Sequence, residues 1–89
     1  MPLRALAFGM VNTEDLRARA HRWRLAADGT RAECAMLVKV SELSWRSPSA
    51  GEFRRLIACR LRELRELADR EDAVADLLER VAESAELAA

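Results

Sequence analysis

Two cysteines, Cys34 and Cys59, and one histidine, His21, are the residues beside the carboxylates best suited to metal chemistry in this chain. Two thiolates without a supporting imidazole fall short of a four-ligand zinc cage. His21 stands among Arg17, Arg19, Arg22 and Arg24 and reads as a solvated side chain. No Ser/His/Asp or Cys/His set and no Gly-rich phosphate loop is present. The carboxylates fall three or four residues from arginines, as in Glu63–Arg60 and Glu66–Arg62. Such helix-surface pairs are worth a few tenths of a kcal/mol each. The expectation is a protein that is not an enzyme and that takes no metal or cofactor.

The cysteines pose a structural question instead. They are nearly equidistant from a chain break near Arg46-Ser47, so an antiparallel hairpin is expected to bring them to the same height. A disulfide needs Cα atoms within about 7 Å, and packed helix axes lie about 8–10 Å apart. Inside a cell the expectation is two buried thiols that pack as small hydrophobes. Outside it, a Cys34–Cys59 bridge becomes the alternative.

Two arginine clusters raise nucleic acid as a partner. One is the run Arg17–Arg24 with Trp23 inside it, and the other comprises Arg54, Arg55, Arg60, Arg62 and Arg65. Trp23 also belongs to an apolar stripe, and the isoelectric point near 6.6 is far from that of a dedicated nucleic-acid binder. No nucleic acid is expected.

The elements that position these residues follow from composition. The 89 residues allow one domain, 51% of them hydrophobic, and Tyr is absent. Ala, Leu, Arg and Glu dominate, all strong helix formers, and no segment alternates as a strand does. The class is all-α. Formal net charge is zero, but it is unevenly placed. Residues 69–89 carry Asp69, Glu71, Asp72, Asp76, Glu79, Glu83 and Glu86 against Arg70 and Arg80. No run approaches the roughly 20 apolar residues of a membrane span, and residues 1–11 make a poor signal peptide. The expectation is a cytoplasmic protein, or one exported by a non-classical route.

Residues 1–11 read as an N-terminal arm, with Phe8, Met10 and Val11 available to dock. Asn12-Thr13-Glu14-Asp15 reads as a helix start, with a cap and two carboxylates in the first turn. From there Leu16, Ala20, Trp23, Ala27, Thr30, Cys34 and Leu37 recur at steps of four and three, which keeps one stripe on one face. Arg17, Arg24, Arg31 and Glu42 are placed on the opposite face. Gly29 costs about 1 kcal/mol against Ala in a helix interior and permits a bend. This predicts a first helix over about 13–43.

The turn is expected at about 44–48, with Pro48 suited to a helix start and Ser49-Ala50-Gly51-Glu52 fitting a capping box. The second helix is predicted over about 49–87. Its stripe is Phe53, Ile57, Leu64, Leu67, Val74, Leu78, Val81 and Ala85, interrupted by Arg60 and Glu71. A break this short forces the helices antiparallel. Two rods touch along one line, so apolar surface is left for a partner to cover.

The start NTEDLRARA, the central WRSPSAGEFRRL and the Ala/Leu heptads on both sides together resemble one family: the small WXG-motif proteins of type VII (ESX-type) secretion. Its members are chains of about this length, helical hairpins with Trp-x-Gly in the turn, which pair as homo- or heterodimers into four-helix bundles. Trp45 takes the place of the motif Trp, and Phe53 that of the apolar residue opening the second helix. Ser47 stands where the motif has Gly. The family's export signal resembles Tyr-x-x-x-Asp/Glu, which a chain without Tyr lacks. The resemblance implies an actinobacterial-type hairpin that pairs with another helical hairpin, itself or a WXG/LXG-like protein such as a toxin, as a type VII substrate or partner of one. The alternatives are a non-exported adaptor or chaperone for the helical region of a toxin and, behind it, a nucleic-acid-binding hairpin. The residues expected to form the turn and the partner interface are Leu16, Trp23, Leu37, Trp45, Ser47, Phe53, Ile57, Leu64, Val74, Leu78 and Val81.

Overall fold

A computed structural model describes residues 12–43 and 48–88. Two helices account for nearly all of them: α1, Thr13–Leu43, and α2, Ala50–Ala88. Both boundaries have local causes. The Asp15 backbone N–H donates to Asn12 Oδ1 at 3.1 Å, and the Leu16 N–H donates to the Asn12 carbonyl at 3.1 Å. Asn12 therefore satisfies donors that a helix start leaves orphaned. At α2 the Phe53 N–H donates to the Ser49 carbonyl at 3.2 Å. Pro48 and Ser49 form the turn residues just ahead. The N-terminal arm, Trp45 and Ser47 lie outside the described residues.

The helices form an antiparallel hairpin about as long as the 39-residue α2, roughly 58 Å at 1.5 Å per residue. Arg17 pairs with Glu86, Arg24 with Glu79 and Arg31 with Asp72. Each step forward along α1 is thus a step back along α2. In the seam Thr30 meets Glu71. Carried along that register, Thr13 comes level with Ala88, and Leu43 with about residue 58. The open ends are flush, and the eight residues by which α2 (39) exceeds α1 (31) project at the turn end. They extend about 12 Å past Leu43 at 1.5 Å per residue.

The seam is built from small residues. Ala20, Ala27, Thr30 and Cys34 are the buried positions of α1. They face Ile57, Leu64, Ala68, Glu71, Ala75, Ala82 and Ala85 of α2. Small side chains let backbones approach closely, but they bury little apolar area. At about 0.8 kcal/mol per buried CH₂, an alanine seam is a thin core. Among the described residues only Ile57 and Leu64 of the large apolar side chains are buried, whereas ten others are exposed. A self-sufficient domain places its large apolar residues the other way round.

Several expectations need correction. Arg17, Arg24 and Arg31 are not on the far side of α1; they flank the seam and reach α2. Glu71 does not interrupt the seam but lies in it, 8% exposed, with the Thr30 hydroxyl 2.6 Å from its Oε1. α1 runs unbroken through Gly29. Cys34 and Cys59 are not at one height: the register sets Cys34 level with about residue 67, eight residues or about 12 Å from Cys59. Both are free thiols, Cys34 buried and Cys59 exposed. The offset arises because α2 overshoots α1 at the turn, so equal distance from the break is not equal height.

Candidate helix-pairing face

The seam divides the hairpin into two long sides of opposite chemistry. Residues seven apart on a helix share a face, and those three or four away fall on either flank. In α1 the seam alanines Ala20 and Ala27 are followed at four residues by Arg24 and Arg31, and Ala20 at three residues by Trp23. In α2 Ala68, Ala75 and Ala82 are followed at four residues by Asp72, Glu79 and Glu86. Leu64, Glu71 and Leu78 are followed at three by Leu67, Val74 and Val81. The four-step residues of both helices meet on one side, and the three-step residues meet on the other.

The first side is closed by ions. Arg17 binds both carboxylate oxygens of Glu86, the second at 3.1 Å. Arg24 is a hub, 2.8 Å from Asp76, 2.9 Å from Glu79 and 3.7 Å from Asp72. Arg31 reaches Asp72 at 2.7 Å and Asp69 at 3.3 Å. Hydrogen bonds donated to Glu79 and Asp76 hold the Arg24 guanidinium protonated well beyond its ordinary range. Asp72 does the same for Arg31, and Glu86 for Arg17. In return the Arg17 hydrogen bond pulls Glu86 below the usual carboxylate range. The acidic excess of residues 69–89 is thus the complement of the arginines seven apart in α1. The ladder fixes register more than it adds stability, because exposed pairs contribute little individually.

The second side is apolar and uncovered. Trp23 is 41% exposed, Met36 60%, Phe53 40% and Leu67 44%. Leu16, Leu37, Val74 and Val81 are half-buried along the same side. A groove of about 470 Å³ runs there between Met36, Leu37 and Val40 of α1 and Arg60 and Leu64 of α2, passing Gly29 and Glu33. A second hollow lies beside Trp23, bordered by Arg19, Arg22 and Ala26. A contiguous apolar strip rimmed by polar residues is the form of a protein-interaction surface.

The interface residues expected from sequence divide accordingly. Ile57 and Leu64 are buried in the hairpin's own seam, and Leu78 is half-buried at its margin. Leu16, Trp23, Leu37, Phe53, Val74 and Val81 remain for the outer face. Met36, Val40 and Leu67 belong with them. Leu67 was assigned to the α2 stripe, and its spacing of seven from Val74 identifies the column. Of the expected surface pairs, Arg60–Glu63 is present at 3.3 Å, while Glu66 is 4.0 Å from Arg70 and Arg62 donates to Cys59 Sγ at 3.3 Å. His21 is exposed. No helix among the described residues is long and apolar enough to cross a membrane.

No family model, no curated protein and no solved structure matches the chain.

Proposed function

We propose that this chain is a helix-pairing hairpin that works by taking helices of a partner onto its apolar face, as a WXG-like component of a type VII secretion system. One observation carries the reading: Trp23, Met36, Val40, Phe53 and Leu67 are turned outward while alanines fill the seam. Each large side chain covered by a partner gains roughly 1.5–3 kcal/mol relative to full exposure, so pairing completes the core. The assignment to secretion rests on the resemblance around Trp45, on chain length and on the two balanced helices.

The same outward apolar residues serve a second reading, a non-exported adaptor that masks the helical region of a larger toxin. One experiment separates them. Tagged chain is expressed with and without a working type VII system, and the medium is assayed beside a marker of lysis. System-dependent appearance in the medium supports the exported component. Retention, with a helical partner co-purifying and lost on Trp23→Glu, supports the adaptor. A chain that is neither exported nor sensitive to Trp23→Glu overturns both.

A further inference from the structure

The ionic side of the hairpin changes sign along α2. Two columns of α2, each spaced by seven, lie on that side: Ala58, Arg65, Asp72, Glu79 and Glu86, and beside it Arg55, Arg62, Asp69, Asp76 and Glu83. From residue 69 onward both columns are acidic and hold the ladder with Arg17, Arg24 and Arg31. Before residue 66 their charges are all positive. The three rungs set the next α1 residue at that spacing, Val38, level with Arg65. The fourth rung thus has a cation on α2 and no carboxylate on α1. Arg54 flanks the same strip, and its Nε donates to the Ala50 carbonyl at 3.3 Å. None of Arg54, Arg55, Arg62 and Arg65 pairs with a carboxylate among the described residues. Residues 1–11 and 44–47 contain no Asp or Glu. We infer that this strip of four arginines, at the turn end of α2, binds the phosphate backbone of a nucleic-acid duplex. The strip is on the opposite side from the apolar face, and its role does not depend on the helix-pairing reading.

The isoelectric point near 6.6 counts against nucleic acid only while the charges are treated as mixed. They are segregated. The acids after residue 69 are engaged with the arginines of α1, which leaves the first third of α2 cationic. From Arg54 to Arg65 is 11 residues, about 16 Å of helix. Arg55, Arg62 and Arg65 line a hollow of about 460 Å³ there with Ala58, Cys59 and Leu61. All four arginines are exposed, and so is Ala58 between them, where a small side chain permits close approach of a backbone.

A duplex strand presents a phosphate about every 3.4 Å of axis, so each guanidinium has one within reach whatever the base sequence. The guanidinium fork takes two phosphate oxygens at once. The carboxylates nearby mark the limits of the strip. Glu52 and Glu66 share the next column of α2 with Cys59, Glu63 is held by Arg60 at 3.3 Å, and Glu42 of α1 lies four residues past Val38. A rod-like backbone touches the strip alone. A flat anionic bilayer would also press on Glu52 and Glu66, and the exposed Phe53 is turned to the apolar side, away from the arginines. These features favour a duplex over a lipid surface.

The test uses the full chain and a labelled DNA duplex of mixed sequence, read by fluorescence anisotropy between about 50 and 200 mM salt. Four phosphate contacts predict that the logarithm of the affinity falls against that of salt with a slope of about −3.6. Arg55→Glu combined with Arg62→Glu removes two contacts and is expected to weaken binding at least about tenfold and to bring the slope to about −1.8. Arg70→Glu combined with Arg80→Glu makes the same change of net charge away from the strip and is expected to leave affinity within about twofold, since separated surface charges are screened. All four residues are exposed, and circular dichroism checks that both variants stay helical. No binding at the lowest salt, an equal loss in the two variants, or tighter capture by anionic phospholipid vesicles than by the duplex overturns the inference. None of these results bears on the apolar face, whose reading fails separately if Trp23→Glu leaves both export and partner capture unchanged.

Discussion

Replacing Thr30 by Val tests whether a polar contact inside an alanine seam sets the register of the hairpin. The Thr30 Oγ1 lies 2.6 Å from Glu71 Oε1 and 3.0 Å from the Ala26 carbonyl oxygen. No buried side-chain nitrogen or oxygen among the described residues lacks a partner. Valine keeps the shape of threonine and removes only the hydroxyl, which leaves the Glu71 carboxylate facing alanines. An orphaned buried acceptor costs about 1–3 kcal/mol. Glu71 retains 8% exposure, so residual water places the cost in the lower half, about 1–2 kcal/mol. For a chain of this size each kcal/mol shifts Tm by roughly 4–8 °C, so Thr30→Val is expected to melt about 4–16 °C lower. Glu71→Leu combined with Thr30→Val removes both polar groups and is expected to restore or exceed wild-type stability, because an apolar pair of similar shape needs no partner. The assay is thermal unfolding by far-ultraviolet circular dichroism at one fixed protein concentration. Thr30→Val melting at the wild-type temperature, or a double variant no better than Thr30→Val, would refute the reasoning.

Three further outcomes are expected. Gly29→Ala stabilises the hairpin by about 1 kcal/mol, because α1 is helical there and a Cβ at Gly29 meets nothing within 4 Å; thermal melts check it. The ion ladder makes stability pH-dependent on the acid side only. Arg17 holds Glu86 below its usual range in the folded chain, so that contribution is fully present above about pH 4.3 and is lost as pH falls through the lowered value. Arg17, Arg24 and Arg31 are raised, so their contribution persists through neutral and mildly alkaline pH. Melts across pH, repeated in high salt where the ladder is screened, read both effects. Finally, a maleimide reagent labels exposed Cys59 in the native chain and Cys34 only after unfolding. Mass spectrometry resolves the two, and rapid labelling of Cys34 in the native chain contradicts the register.

The two helices were legible because their signals are local. Asn12 capping, Pro48 and the three-four recurrence of apolar residues each act within a turn or two of chain, and the expected bounds of α1 coincide with Thr13–Leu43. What the sequence left open depends on depth across the pair. Arg24 and Trp23 are neighbours in sequence, yet one closes the ionic side and the other opens the apolar side. The choice between them depends on where α2 lies, which α1 alone does not specify. Glu71 looked like a break in a stripe because its partner Thr30 is 41 residues away. The height of the cysteines was misplaced because a connection's length does not determine where the following helix begins to pack. The acidic excess after residue 69 was visible in advance, and setting it against Arg17, Arg24 and Arg31 at their spacing of seven was the available route to the ladder. Leu67 and Val40 were recognised as apolar, but their membership of the outer face required the register.

The outward apolar face calls for cover by helices of a partner, and a second copy is the first occupant to test. Light scattering on the wild-type chain beside the Trp23→Glu/Leu67→Glu variant tests it most directly, with helicity measured on both. Both residues are more than 40% exposed, so the variant keeps the seam and the ladder. The account predicts a helical wild type at twice the 10.0 kDa chain mass and a helical variant at the single mass. A wild type that is helical and monomeric, or a variant that keeps the doubled mass, contradicts it.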